Sequence, residues 1–188
     1  EMKWVAELMT QSGAPVRHLA FFHQERVLAA ASDDGVRLCQ PAGADWKVMH
    51  TLHGHVGAVT CVAVSRDDQL LVTGGQDGRI VLWETKTTRP IALLSGGESE
   101  IRAVAISPDR SRLASLDETG QLVLWDVDKR KRMRQVFAHD QGKWGGVGRQ
   151  RLQVRFVPND RAIIVTGGAD ERIRIWDAHT LDPRTTLL

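Results

Sequence analysis

The stretch LLVTGGQDGRIVLWE, from Leu70 to Glu84, decides the fold because it recurs along the chain. Related stretches are RLASLDETGQLVLWD from Arg112 to Asp126, IIVTGGADERIRIWD from Ile163 to Asp177 and, in a weaker form, VLAAASDDGVRLCQ from Val27 to Gln40. Self-similarity at a regular period of roughly 40 residues is typical of proteins built from stacked structural repeats. The sequence therefore predicts four repeats.

A tryptophan near the end of three of the copies, which the first copy replaces with glutamine, measures the length of the repeat. The equivalent positions are Gln40, Trp83, Trp125 and Trp176, which lie 43, 42 and 51 residues apart. The last spacing is the longest, and its excess falls within residues 140–151. We therefore expect an insertion in the fourth repeat.

Each repeat is predicted to form four short β-strands. Turn signals such as Asp77-Gly78 and Pro108-Asp109 follow one another closely and leave no room for a helical crossover. The segments that begin at Leu70 and Ile80 are almost continuously apolar, so both faces of these strands should be buried. A four-stranded sheet cannot cover both of its own faces, so each repeat needs its neighbours to form a core.

Two short motifs resemble those of a known family. Gly54-His55 precedes the first strand of the second repeat, and the third and fourth repeats close on Trp125-Asp126 and Trp176-Asp177. In these motifs the chain resembles the WD40 repeat family, and the resemblance covers essentially the whole sequence. It implies an all-β fold, a WD40 β-propeller of four four-stranded blades that forms a partial ring or half of a larger ring.

The resemblance also sets the domain boundaries. We assign residues 1–13 to the outer strand of a preceding blade, 14–53 to a degenerate first repeat, 54–95 to the second, 96–137 to the third, and 138–188 to the fourth, with its insertion at 140–151. WD40 rings typically have about seven blades, which is more than four. We therefore expect the ring to be closed either by the rest of a longer chain or by a homodimer.

The family further implies a hydrogen-bond brace of His, Asp, Ser or Thr, and Trp inside a blade. The matching residues are His55, Thr73, Asp77 and Trp83 in the second repeat and His139, Thr166, Asp170 and Trp176 in the fourth. The carboxylate fixes the imidazole tautomer, and the hydroxyl accepts the indole N–H that burial would otherwise leave unpaired.

The first and third repeats lack this brace. The first has Ala30 and Gln40 at two of its positions, and the third has Gly97 for the histidine and Thr119 for the aspartate, although Ser115 and Trp125 persist. We predict that these two blades open more readily than the other two.

A set of Thr, His and Asp is also the composition of a nucleophile, base and orienting acid. The same set occurs in two repeats and no candidate for an oxyanion hole accompanies it, so we interpret it as structural and predict no catalytic residue.

His53 and His55 suggest a metal site, but His55 belongs to the brace and no Cys or carboxylate completes the ligands. We therefore predict neither a metal nor a cofactor.

The insertion carries the side chains that we expect to contact partners. These are Lys143, Trp144, Arg149 and Arg151, which lie among several glycines. Trp and Arg are enriched at binding hot spots. In a WD40 blade the connections between repeats and the turns between second and third strands share one face, the top face, where we expect proteins to bind. The alternative is that Trp144 folds back and only plugs the mouth of the propeller.

A basic cluster occupies the turn between the third and fourth strands of repeat three, on the opposite, bottom face. It consists of Lys129, Arg130, Lys131, Arg132 and Arg134. Such a cluster is usually a solvated turn, and it is also a candidate site for an acidic or phosphate-bearing partner.

Composition narrows the functional class. The 25 Lys and Arg against 23 Asp and Glu give a net charge of +2, which is not the surplus of a nucleic-acid-binding protein. The two cysteines and the lack of a long apolar run favour a cytoplasmic protein without a membrane span. We expect a non-catalytic scaffold or sensor that binds proteins. The alternative is a regulatory propeller segment of a larger signalling enzyme, such as an NTPase, kinase or protease, whose catalytic domain lies outside this chain.

Overall fold

The computed structural model describes residues 13–43, 45–139, 152–158, 160–168 and 170–187. These residues form sixteen β-strands. No helix that could cross a membrane occurs among them. The predicted outer strand of a preceding blade, within residues 1–13, falls almost wholly outside the described residues.

The strands group into four blades in chain order. Blade 1 contains β1 (Val16–Phe21), β2 (Leu28–Ser32), β3 (Gly35–Ala42) and β4 (Asp45–Leu52); blade 2 contains β5 (Val59–Val64), β6 (Leu70–Gly75), β7 (Arg79–Glu84) and β8 (Arg89–Ser95). Blade 3 contains β9 (Ile101–Ile106), β10 (Arg112–Asp117), β11 (Gln121–Asp126) and β12 (Lys131–Phe137); blade 4 contains β13 (Gln153–Val157), β14 (Asp160–Gly167), β15 (Ile173–Asp177) and β16 (Pro183–Leu187). Each blade is an antiparallel sheet with its strands in sequence order, which confirms the predicted all-β architecture.

Apolar cores lie between consecutive blades rather than inside any one of them. Leu38 of blade 1 belongs to the same core as Trp83 of blade 2, and Leu82 of blade 2 shares the next core with Trp125. Leu124 of blade 3 and Trp176 of blade 4 belong to the third core. Because strands buried on both faces need a neighbour on each side, every blade depends on the next for its hydrophobic stabilisation.

The first strands of the blades lie side by side around an axis. Neighbouring pairs are β1 with β5, β5 with β9, and β9 with β13. The three cores join blades 1 to 2, 2 to 3 and 3 to 4, and none of them joins blade 4 to blade 1 in the described part of the chain. The four blades therefore form an arc that is not closed.

The register of blade 1 corrects the expected position of its tryptophan equivalent. Leu28 pairs with Cys39, just as Leu71 pairs with Trp83 in blade 2. Cys39, and not Gln40, therefore takes the place of tryptophan. The turn between β2 and β3 is one residue shorter than the turn between β6 and β7, which shifts the alignment by one position.

Candidate functional site: the braces, the turns and the surface

In blade 2 the four predicted brace residues form one continuous chain of hydrogen bonds. His55 Nδ1 lies 3.0 Å from Asp77 Oδ1, and His55 Nε2 lies 2.8 Å from Thr73 Oγ1. The indole Nε1 of Trp83 donates to Thr73 Oγ1 at 3.0 Å. Because the threonine oxygen accepts the indole hydrogen, its own hydroxyl hydrogen goes to Nε2, and Nδ1 of the neutral imidazole donates to Asp77.

Asp77 connects this chain to the backbone on both sides. Its carboxylate accepts hydrogen bonds from the amides of Val56 at 2.9 Å and Arg79 at 3.1 Å. Burial opposes ionisation of Asp77, but the hydrogen bonds from His55 and these amides outweigh it, so the pKa of the carboxyl lies below its ordinary value. The brace therefore links the segment before β5 to the turn between β6 and β7.

The histidine fits only because a glycine faces it. A Cβ on Gly75 would lie 2.6 Å from Oδ1 of Asp77 and 2.9 Å from Cε1 of His55. In blade 4 a Cβ on Gly168 would lie 2.5 Å from Cγ of His139. The glycines of the two repeats thus leave the space that the imidazole occupies.

Blade 4 has the same chain with an additional arginine. His139 Nδ1 lies 2.8 Å from Asp170 Oδ1, His139 Nε2 lies 2.9 Å from Thr166 Oγ1, and Trp176 donates to Thr166 at 2.9 Å. Arg174 donates to the other oxygen of Asp170 at 2.6 Å. Burial of His139 and the nearby charge of Arg174 lower the pKa of the imidazole, although Asp170 opposes this shift.

Blade 3 keeps only the tryptophan–hydroxyl hydrogen bond of the brace. Asp117, which was not predicted from the sequence, binds the turn between β10 and β11 instead. Trp125 donates to Ser115 at 2.9 Å, while Gly97 supplies no imidazole. Asp117 stands where blade 2 has Gly75, and its carboxylate accepts from the amides of Thr119 at 2.9 Å and Gln121 at 3.0 Å. A side chain fits at this position because no histidine fills the space. The sequence did contain a signal for this role of Asp117, because the third repeat lacks both the histidine and the glycine of the brace.

Blade 1 also has a polar cluster that the sequence analysis did not predict. Arg37 donates to both carboxylate oxygens of Asp34, at 2.8 and 2.6 Å, and to Ser32 at 2.9 Å. Arg37 pairs with Ala30 as Arg174 pairs with Thr166, so the two arginines hold equivalent positions in blades 1 and 4. This cluster occupies the place of the brace in blade 1.

A carboxylate that the sequence analysis missed joins blades 1 and 2 at the bottom face. Asp68 accepts from the amides of His23 and Gln24, each at 2.7 Å, and of Glu25 at 3.1 Å. Asp68 has a φ of 56° and is buried, so a strained turn residue presents its side chain to the neighbouring blade. No local pattern distinguishes Asp68 from the adjacent Asp67.

The predicted partner-binding residues Lys143, Trp144, Arg149 and Arg151 lie outside the described residues.

The residues of the basic cluster are described, and their side chains lie in different environments. Lys129 Nζ lies 3.3 Å from Asp126, and Arg132 stacks 5.4 Å from the ring centroid of Trp125. Arg130, Lys131 and Arg134 are exposed. The cluster therefore divides into side chains used by blade 3 itself and three that face solvent. The prediction that all five residues occupy the turn is wrong, because β12 begins at Lys131 and contains Arg132 and Arg134, which leaves Lys129 and Arg130 in the turn.

The described residues contain no group of three or more His, Cys, Asp or Glu side chains arranged to hold a metal ion. His53 is exposed, whereas His55 is bound on both nitrogens within the brace. The two histidines of the segment His53-Gly54-His55 therefore have different environments.

Comparison with known protein families gives a match to the WD domain, G-beta repeat. The matched residues are 46–84, 88–126 and 147–177, which together make up more than half of the chain. Each matched range ends one residue beyond the tryptophan of the third strand, in blade 2, blade 3 and blade 4 respectively.

Several proteins share shorter stretches with this chain. Protein ROOT INITIATION DEFECTIVE 3 from Arabidopsis thaliana is 35% identical over 79 residues, which are 42% of this chain and 18% of that protein. Small ribosomal subunit protein RACK1 from Medicago sativa is 43% identical over 51 residues, or 27% of this chain and 16% of that protein. Target of rapamycin complex subunit LST8 from Saccharomyces cerevisiae is 29% identical over 76 residues, or 40% of this chain and 25% of that protein. The chain thus matches a quarter or less of each of these three.

Proposed function

Because this chain belongs to the WD40 repeat family, we propose that it is a non-catalytic scaffold or sensor module that holds protein partners in the cytoplasm. The observation that carries the proposal is the environment of the two Thr, His and Asp sets in blades 2 and 4. The hydroxyl groups of Thr73 and Thr166 are buried, at 0% and 1% exposure, and each already accepts an indole N–H. A substrate cannot reach such a hydroxyl, so the Thr, His and Asp sets serve the blades.

The relatives support a role in assemblies. The names of two of them describe a protein of the small ribosomal subunit and a subunit of the target of rapamycin complex. By analogy, we propose that this chain also works as one member of a complex. The analogy concerns the class of function and carries over none of those partners.

We place the partner site on the top face, at the insertion of the fourth repeat. Trp144 combines a large apolar area with an indole N–H, and Arg149 and Arg151 supply fixed charges. These are the residue types that dominate binding energy at interfaces. The basic cluster is a second candidate, for an acidic or phosphate-bearing partner, through Arg130 in the turn on the bottom face and through Lys131 and Arg134 on the outer strand β12.

A binding experiment tests this proposal. Proteins captured on the immobilised chain are compared between the wild type and Trp144→Ala, with Lys86→Ala, an exposed bottom-face change, as the control. We expect Trp144→Ala to weaken capture and Lys86→Ala to leave it unchanged. Equal capture by all three proteins contradicts the top-face site, and no specific capture by any of them contradicts the scaffold function itself.

We also propose that a further blade of the same type covers the open face of blade 4. Ile173 is 48% exposed, whereas its counterparts Ile80 and Leu122 are fully buried by the following blade. Val165 and Ile175 lie on the same open face. We favour the rest of a longer chain as the source of that blade, with a homodimer as the alternative. Light scattering tests both, because a stable monomer of 20.9 kDa that does not aggregate would contradict either form of closure.

The second candidate function, regulation of an enzyme domain elsewhere in a longer chain, stays a hypothesis. The full-length gene sequence distinguishes this hypothesis from a scaffold, because a regulatory segment requires a catalytic domain in the same polypeptide and a scaffold does not.

A further inference from the structure

The axis of the arc contains a cavity that opens toward the bottom face. Its volume is about 510 Å³, and the ends of β1, β5, β9 and β13 form its walls. Apolar side chains make up much of the surface, among them Leu19, Ile106 and Phe156. The ionisable lining residues are His18, His23, Arg66 and Arg155, and no Asp or Glu lines the cavity among the described residues. The cavity is therefore apolar and basic.

Arg155 carries an uncompensated charge at this cavity. Its side chain donates to the carbonyl of Val154 at 3.1 Å, and in the described part of the chain no carboxylate lies within ion-pair distance. The arginines of the adjoining upper cavity differ in this respect. Arg17 is paired with Asp33, and Arg102 lies 3.1 Å from Glu100. The guanidinium of Arg155 is thus available to a ligand that enters this cavity.

His18 contributes a second donor from the opposite end of the arc. Its Nδ1 accepts the amide hydrogen of Val62 at 3.3 Å, so the neutral imidazole carries its hydrogen on Nε2. Burial of His18 and the positive charge of Arg155 both lower the pKa of the imidazole. The lowered pKa keeps His18 neutral near pH 7. His18 and Arg155 line the same cavity.

We propose that this bottom cavity binds an acidic side chain of a partner protein, with apolar residues on either side of it. The carboxylate accepts charge-assisted hydrogen bonds from Arg155 and a hydrogen bond from Nε2 of His18. The neighbouring apolar residues of the partner pack against Leu19, Ile106 and Phe156. The inference rests on the proposed function of binding proteins, and it adds a second site, on the face opposite to the insertion.

A protein loop fits this cavity better than a membrane or a nucleic acid. The basic residues border a concave cavity with apolar walls, which a flat lipid surface would leave unfilled. Nucleic-acid binding requires an extended basic surface, whereas the net charge here is +2. A single carboxylate flanked by hydrocarbon matches both the charge and the apolar walls.

The test uses a set of capped pentapeptides with glutamate at the centre and Leu, Ile, Val or Phe on either side, each matched by a peptide with central glutamine. Binding to the full chain is measured by calorimetry, and the imidazole of His18 is followed by NMR. We expect the best glutamate peptides to bind roughly tenfold more tightly than their glutamine matches, since hydrogen bonds to charged groups contribute more than neutral ones. We also expect a higher pKa of His18 in the complex.

Variants complete the test. Arg155→Gln is expected to abolish the preference for glutamate, whereas Arg172→Gln, an exposed arginine of the same blade away from the cavity, should retain it. The inference is overturned if no glutamate peptide binds better than its glutamine match, or if Arg155→Gln keeps the preference. Arg155-dependent binding of vesicles containing phosphatidylserine, without peptide binding, overturns it in favour of a lipid ligand. The capture experiment with Trp144→Ala reads out the scaffold function independently of all these results.

Discussion

Gly75 and His55 share one space in blade 2, since a Cβ on Gly75 would lie 2.9 Å from Cε1 of His55 and closer still to Nδ1. The glycine is therefore part of the brace although it makes none of the three hydrogen bonds that join the brace residues. Repeats 2 and 4 have both the histidine and the glycine, and repeat 3 has neither.

Gly75→Ala is expected to lower the free energy of unfolding by roughly 1 to 3 kcal/mol, because displacement of His55 leaves buried polar groups unpaired. Urea denaturation followed by tryptophan fluorescence measures the change. Gly167→Ala is the matched control, since a Cβ there meets nothing within 4 Å. An equal loss in both variants would show that the close approach to His55 is not the cause.

Thr166→Val should destabilise blade 4 by a similar amount, about 1 to 3 kcal/mol. The variant keeps the shape of the side chain but removes the oxygen that Trp176 and His139 share. Thermal unfolding compares it with Thr185→Val, a change at an exposed position of β16. A wild-type melting temperature for Thr166→Val would refute the importance of the hydroxyl.

The stability of the chain should fall as the pH is lowered below about 6.5, the ordinary pKa of histidine. His139 has a lowered pKa in the folded state, so the unfolded state binds more protons in this range and stability rises with pH. His18 has the same direction of shift and adds to the effect. Asp170 and Arg174 are the charged groups beside His139, and the lowered pKa of Asp170 adds a further loss below about pH 3.8.

Denaturation at pH 7 and pH 5 measures this dependence. His139→Gln should lower stability at pH 7 and flatten the slope between the two pH values, leaving the part that His18 contributes. His50→Gln, at an exposed histidine, should keep the wild-type slope. A wild-type slope in His139→Gln would mean that other groups cause the pH dependence.

Blade 3 should exchange its amide hydrogens faster than blade 2, although both lie between two other blades. In blade 2, His55 links the segment before β5 to the turn that follows β6, whereas Gly97 makes no such link in blade 3. Asp117 binds only residues of its own turn, at Thr119 and Gln121. Hydrogen exchange read by mass spectrometry tests the difference between β9–β10 and β5–β6. Uniform protection across the two blades is the result that this explanation does not allow.

Much of the architecture was readable from the repeat itself. The apolar runs from Leu70 and Ile80, the turn glycines and the strand-end tryptophans recur at regular spacing, and each acts through neighbours close in the chain. This local pattern predicted the blades and brought together the correct brace partners in repeats 2 and 4. It failed at Gln40, because a turn one residue shorter than the others moved the equivalent position to Cys39.

The sequence by itself determined the strands, their order within each blade and the need for a neighbouring blade, because a strand buried on both faces must be apolar on both. Only the tertiary structure decided how Asp68 reaches the amides of residues 23–25, how Asp117 binds the amides of its own turn in blade 3, and which charges meet in the cavity at the axis. His18 and Arg155 belong to the first and last blades, and only the curvature of the stacked sheets brings them to one cavity. That curvature is a property of the packing between blades, which no single repeat encodes.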